Sequence, residues 1–113
     1  MPKKTIIGII QSKILSSYNS NLSTAIKNIK KAANKNAKII CLPELFLTNY
    51  FCQTESHSNF KFAEKIPGKT SKIFSDLSKE LNVVLMISMF EKKTRGFYHN
   101  TSIVINEKGK ILS

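Results

Sequence analysis

Residues 37–44 have the sequence AKIICLPE. Residues 37–42 predict a short, buried strand, and Pro43 ends it because proline cannot donate a hydrogen bond to a neighbouring strand. Glu44 therefore follows the carboxyl end of a predicted strand. Functional groups collect at that end of the strands in open α/β sheets, so Glu44 is the first candidate functional residue.

The residues before this strand predict a second strand and a helix. Residues 5–11 form a β-branched apolar run with both faces apolar, which indicates a strand buried on both sides. A polar stretch, residues 16–21, offers several candidates for a helix N-cap, and Asn36 suits the position after a helix. Between them the apolar residues recur at helical spacing, with lysines on the other face; they are Leu22, Ala25, Ile26, Ile29, Ala32 and Ala33.

The residues after this strand predict one more helix and three strands. Helical spacing after the break at residues 67–68 indicates a helix with Thr70 or Ser71 as its cap and Asn82 in its C-terminal turn. The further strands are expected at residues 83–90, 98–105 and 110–113, with a hairpin turn at 106–109 between the last two. The resulting order is β-α-β-α-β-β-β. Because the helices connect buried strands, right-handed crossovers and a layered α/β fold follow.

The charge of the chain first suggests an anionic partner. The 113 residues carry 18 basic and 7 acidic side chains, for a formal charge of +11. Arg95 is the sole arginine, although arginine makes most bidentate contacts to bases and phosphates, and the lysines follow helix faces without interleaved aromatic residues. Nucleic acid is therefore not the favoured partner. A non-catalytic basic α/β module that binds a partner subunit or nucleic acid remains the alternative function.

Several other classes of protein are not favoured. The apolar runs are far shorter than the roughly 20 residues that cross a bilayer, and the start of the chain lacks the pattern of a secretory signal. Cys41 and Cys52 do not form a disulfide framework, and two free thiols fit a reducing cytoplasm. The spacing of cysteines and histidines predicts no metal site, and the four glycines form no phosphate-binding motif, so no cofactor is expected.

The residues alone leave the chemistry open. Glu44 begins a long aromatic loop, where a partly desolvated carboxyl group suits a general base, but a solvated loop residue or a helix cap fits the same pattern. Cys52 suggests a nucleophile, yet nothing places it on a strand-to-helix elbow or beside a cation. By composition, Glu91 and Asn100 are ordinary surface groups near the ends of the third and fourth strands.

Residues 37–46, AKIICLPELF, resemble the first catalytic motif of the carbon–nitrogen hydrolase (nitrilase) superfamily. Residues 50–55, YFCQTE, resemble the N-carbamoylputrescine amidase branch, which is close to β-ureidopropionase. Further matches follow in order along the chain, at residues 6–11, 66–68, 90–92 and 98–101.

The resemblance implies a four-layer α-β-β-α fold and hydrolysis of a non-peptide C–N bond by a Glu–Lys–Cys triad. Glu44 matches the family's general base, whereas Lys110 and Cys52 match neither the lysine motif nor the cysteine elbow. Both of those motifs follow the family's counterpart of residues 111–112. Residues 1–113 are therefore expected to form the N-terminal half of the domain, inactive alone.

The resemblance also implies a site and partners. Tyr50, Phe51 and Cys52 are expected to line the mouth of the pocket, with Glu91 and Asn100 near the site or supporting it. The implied substrate of the whole enzyme is an N-carbamoyl amine, in polyamine biosynthesis. A homo-oligomer or a complementing C-terminal half is the expected protein partner.

Overall fold

The computed structural model describes residues 4–13, 17–43, 65–94 and 97–112. It contains two helices and one sheet of four strands in the order β1-β2-β3-β4, in which β2 is parallel to β1 and β3, and β4 is antiparallel to β3. The elements are β1 Ile7–Ile9, α1 Tyr18–Asn34, β2 Ile39–Cys41, α2 Lys69–Leu81, β3 Val84–Thr94 and β4 Phe97–Ile105. The predicted α/β class and the predicted order of these six elements are confirmed.

Both ends of α1 agree with the sequence, since its N-cap, Ser17, lies in the polar stretch at residues 16–21, and the C-terminal end of α2 agrees as well. Asn36, two residues after the end of α1, and Asn82, directly after α2, adopt left-handed backbone angles, with φ of 69° and 55°. Helix α1 begins earlier than its apolar pattern, because the Ser17 side chain accepts a hydrogen bond from the backbone N–H of Ser20.

The predicted cap of α2 is wrong. Gly68 is the N-cap, and Thr70 and Ser71 lie inside the first turn, fully buried. The Ser71 hydroxyl accepts a hydrogen bond from the Gly68 N–H at 2.7 Å, so it stabilises the helix start from the third helical position rather than from the cap itself.

Both helices pack against one face of the sheet, which we call the helix-covered face. Ile40, Leu85 and Ile105 point to this face in consecutive strands, and Ile29 and Phe74 meet them from α1 and α2. All five side chains are fully buried. The hydroxyls of Tyr18 and Thr70 share a hydrogen bond, which joins the two helices side by side.

The opposite face, which we call the open face, carries several exposed apolar side chains. Ile7, Ile9, Met86 and Leu112 are 58%, 80%, 44% and 49% exposed. The prediction that the first strand is buried on both sides is therefore wrong, because none of the described residues covers the open face. On the helix-covered face β1 carries only Gly8, where an added Cβ would lie 3.2 Å from Cβ of Ala32.

The predicted hairpin turn at residues 106–109 is confirmed, but the strand after it is short. The Asn106 side chain accepts hydrogen bonds from the backbone N–H groups of Lys108 and Lys110. Among the described residues, the pairing beyond the turn is one antiparallel bridge between Ile105 and Ile111. Within the described residues the sheet therefore has four strands, and a single bridge stands where the fifth strand was expected.

The described helices, of 17 and 13 residues, include none that is long and apolar enough to cross a membrane.

Substitution of Gly109 by alanine should destabilise the chain by about 1–3 kcal/mol. Gly109 has a φ of +81°, and an added Cβ would lie 2.7 Å from the backbone oxygen of Ser75 in α2. Urea unfolding followed by circular dichroism measures the loss. The exposed neighbour Lys108→Ala serves as the control, and equal midpoints for the two variants would contradict the packing of this turn against α2.

Candidate functional site

The carboxyl end of β2 lies beside the beginning of β3. Cys41 pairs with Met86, and the Leu42 N–H donates to the Met86 carbonyl at 3.0 Å, which extends the pairing by one residue. Pro43 then ends it, since it has no N–H to donate. β3 continues from Met86 to Thr94 and pairs with β4, so a two-stranded ribbon extends past the end of β2.

The residues expected to form most of the site lie outside the described part of the chain. These are Glu44, Tyr50, Phe51 and Cys52. What the structure describes is the half-buried Pro43 that precedes Glu44 and the ribbon of β3 and β4 beside it.

Glu91 is buried, unlike the surface group that composition suggested. It is 9% exposed, and its Oε1 atom accepts a hydrogen bond from Oγ1 of Thr101 at 2.8 Å. Thr101 pairs with Met89, so it is the diagonal neighbour of Glu91 on the helix-covered face. A charge-assisted hydrogen bond of this kind offsets part of the free-energy cost of removing a carboxylate from water.

Asn100 lies on the other side of the same ribbon. It pairs with Phe90 and is exposed, and its Oδ1 atom accepts a hydrogen bond from Oγ of Ser88 at 3.0 Å. The structure therefore does not bring Glu91 and Asn100 together, because they occupy opposite faces of the sheet.

Sequence reasoning missed the two hydroxyl partners, Ser88 and Thr101. In the sequence Ser88 lies within the predicted strand at residues 83–90, and Thr101 lies within the match at residues 98–101. The signal that identifies them is the strand register, which places each hydroxyl beside its acceptor.

Glu91 lines an open cleft of about 800 Å³ on the helix-covered side. Thr101 and the exposed Lys110 are its other polar lining residues, and the remainder are apolar: Ile66, Pro67, Ile103, Ile111 and Leu112. The cleft thus combines a buried carboxyl group with aliphatic walls.

The described residues hold no group of three or more histidine, cysteine, aspartate or glutamate side chains that could bind a metal ion. Cys41 is a free, half-buried thiol on the open face, and its Sγ atom lies 3.7 Å from Sδ of Met86. Cys41 is therefore only partly buried, although it lies within the predicted strand at residues 37–42.

The chain matches a known family and several proteins of that family. The family described as carbon-nitrogen hydrolase matches residues 6–113. An omega-amidase of Xenopus laevis is 32% identical over 110 residues, which cover 94% of this chain and 37% of that protein. An N-carbamoylputrescine amidase of Solanum lycopersicum is 31% identical over 99 residues, which cover 87% of this chain and 33% of that protein. The chain thus spans about a third of the length of these relatives.

Solved structures show the same fold. The crystal structure of a carbon-nitrogen hydrolase from Helicobacter pylori superposes with a TM-score of 0.90 at 29% identity, covering 96% of this chain and 38% of that one. An amidase from Nesterenkonia sp. superposes with a TM-score of 0.74 at 17% identity, covering 96% and 41%, and at that identity it shows the fold alone.

Substitution of Thr101 by valine should lower the free energy of unfolding by about 1.5–3 kcal/mol, because valine keeps the shape and removes the hydrogen bond to the buried Glu91. Urea unfolding measures the difference. Ser102→Ala, at an exposed position of the same strand, should stay within about 0.5 kcal/mol of the unsubstituted chain. Equal stability of the two variants would show that Glu91 gains nothing from the Thr101 hydroxyl.

Proposed function

Since the chain belongs to the carbon–nitrogen hydrolase family, we propose that residues 1–113 form the N-terminal part of an amidase domain in which Glu44 is the general base. The observation that carries this proposal is the family match over residues 6–113, which includes the strand β2 and the Pro-Glu pair that follows it. The proposed activity belongs to a whole protein, because this chain spans about a third of the length of its relatives.

The proposed reaction follows from the family's Glu–Lys–Cys triad. The carboxylate of Glu44 takes the proton of a cysteine thiol, and the thiolate attacks the carbonyl carbon of the C–N bond. The same carboxyl group returns the proton to the leaving nitrogen and then activates the water that hydrolyses the acyl–enzyme. A lysine stabilises the negative charge that develops on the carbonyl oxygen.

We propose an N-carbamoyl amine as the substrate of the whole enzyme. Hydrolysis of N-carbamoylputrescine would give putrescine, CO₂ and ammonia, a step of polyamine biosynthesis. The support is the resemblance of residues 50–55 to that branch, although relatives named for omega-amidase activity are equally similar to the chain. In this proposal Tyr50, Phe51 and Cys52 line the mouth of the pocket.

Glu91 and Asn100 have separate roles in the proposal, since they lie on opposite faces of the ribbon. Glu91 belongs to the cleft, and Asn100 supports the ribbon through Ser88. The lysine and the cysteine come from a C-terminal part of the same domain or from a separate complementing chain, and a homo-oligomer of the whole enzyme fits the same proposal.

The 113-residue chain by itself should release no ammonia from N-carbamoylputrescine above the level of its Glu44→Ala variant. Lys110 and Cys52 match neither the lysine nor the cysteine of the triad, and without a nucleophile a general base has no covalent route to use. An ammonia assay on the purified chain measures this. Release that depends on Glu44 in the chain alone would overturn the proposed division of the triad.

A chimera tests the role of Glu44. Residues 1–113 are joined to the part of the Helicobacter pylori hydrolase that follows its matched region, and ammonia release is measured with N-carbamoylputrescine and with an omega-amide. Glu44→Gln should lower kcat/KM by about 10²–10⁴-fold, the range for loss of a general base. The control Glu107→Gln changes an exposed carboxylate of the turn at 106–109 and should leave the rate unchanged. Comparable rates for the two variants in an active chimera would refute the assignment of Glu44.

A further inference from the structure

Glu91 differs from the other described acidic residues in its burial. Asp76, Glu80 and Glu107 are exposed, whereas Glu91 is 9% exposed and lines the cleft. A carboxylate that is removed from water is stabilised by hydrogen bonds together with a cation.

The described residues supply the hydrogen bond but not the cation. Thr101 donates to Oε1 of Glu91, while a carboxylate offers about four acceptor positions. The cationic lining residue is Lys110, which is exposed, and the ion pair found in the described part of the chain joins Lys72 to Asp76 rather than Lys110 to Glu91. The cleft therefore has unused capacity for a positive charge.

The rest of the lining determines the shape of a suitable ligand. Ile66, Ile103 and Ile111 provide aliphatic walls beside the carboxyl group, within a volume of about 800 Å³. Aliphatic walls stabilise a methylene chain by removing it from water, and a carboxylate together with a hydroxyl group accepts the hydrogen bonds of a primary ammonium.

We propose that this cleft binds an alkylammonium group, with the methylene chain against the isoleucines and the ammonium on the carboxylate of Glu91. The inference extends the proposed function, because it gives Glu91 a ligand, and it names a chemical class of ligand for the cleft.

Two sources can supply this group. One is a free amine, such as the amine end of an N-carbamoyl diamine. The other is a lysine side chain on a strand that lies along β4, where the bridge between Ile105 and Ile111 and the hydrogen bond from the Leu112 N–H to the Val104 carbonyl already begin antiparallel pairing beside the cleft.

The first experiment titrates the 113-residue chain with n-butylammonium and follows the chemical shifts of Glu91, Thr101 and Ile111 by NMR. Glu91→Gln should weaken binding about tenfold or more, because it removes the charge and keeps a carbonyl oxygen for Thr101. The matched control Glu80→Gln, on the exposed side of α2, should bind as the unsubstituted chain does. Unchanged affinity in Glu91→Gln, or equal affinity for 1-butanol or butyrate, would overturn the proposal.

A second variant keeps the test valid if Glu91→Gln does not fold. Lys110→Gln removes the positive charge that shares the cleft, so n-butylammonium should bind about twofold more tightly. Weaker binding in this variant would contradict a cation site.

Competition against n-butylammonium distinguishes the two sources. A free-amine ligand predicts that N-carbamoylputrescine displaces the probe. A lysine ligand predicts displacement by the extended peptide acetyl-Val-Thr-Val-Lys-Val-Thr-amide, with hydrogen-exchange protection in β4, and not by its norleucine analogue. If neither competitor displaces the probe, the proposal is wrong. These titrations measure binding and not turnover. A negative result for the cleft is therefore distinguishable from a negative result for the Glu44 variant in the activity assay of the chimera.

Discussion

The packing of two helices against one face of the sheet is the interaction on which the rest of the structure depends. Ile29 and Phe74 cover Ile40 and Leu85, and all four side chains are fully buried. Gly8 lets α1 approach the edge strand closely, since an added Cβ there would lie 3.2 Å from Cβ of Ala32 in α1. This packing on one face fixes the register of β2 against β3. It therefore also fixes the point at which the chain leaves the sheet, at Pro43.

The spacing of apolar residues predicted the helices and strands because each of them carries its own pattern within a short stretch of sequence. The helical spacing of apolar residues identified α1 and α2, and the asparagines after them agree with the left-handed angles at both helix ends. The exposure of Ile7 and Ile9 was not predictable in the same way. A strand that is apolar on both sides indicates that both of its faces are removed from water. Its own sequence does not identify the residues that would cover each face.

The burial of Glu91 shows a second limit of local patterns. The apolar run of residues 83–90 suggested that the strand ends before Glu91, yet β3 continues to Thr94 because β4 pairs with it along the ribbon. Alternation then assigns Glu91 to the same face as Leu85, Ile87 and Met89, which are buried. Only the pairing partner reveals this, since a polar residue after an apolar run looks the same in sequence whether it begins a loop or extends a strand. The place of Glu44, in contrast, is predicted from its motif and lies outside the described residues.

The two carboxyl groups illustrate different physical requirements. A general base must exchange protons with both a nucleophile and water, so it suits a position just beyond a strand, where the backbone is no longer tied into the sheet and the side chain can reach solvent. A carboxyl group that receives a fixed cation suits the opposite conditions, because low exposure strengthens its electrostatic interactions and a hydrogen bond from a neighbouring strand fixes its orientation. Glu44 follows Pro43, which ends the pairing of β2, whereas Glu91 lies within the paired ribbon and is oriented by Thr101. We therefore propose separate roles, in which Glu44, which follows the end of β2 in sequence, transfers protons and Glu91, within the ribbon, binds a positive charge.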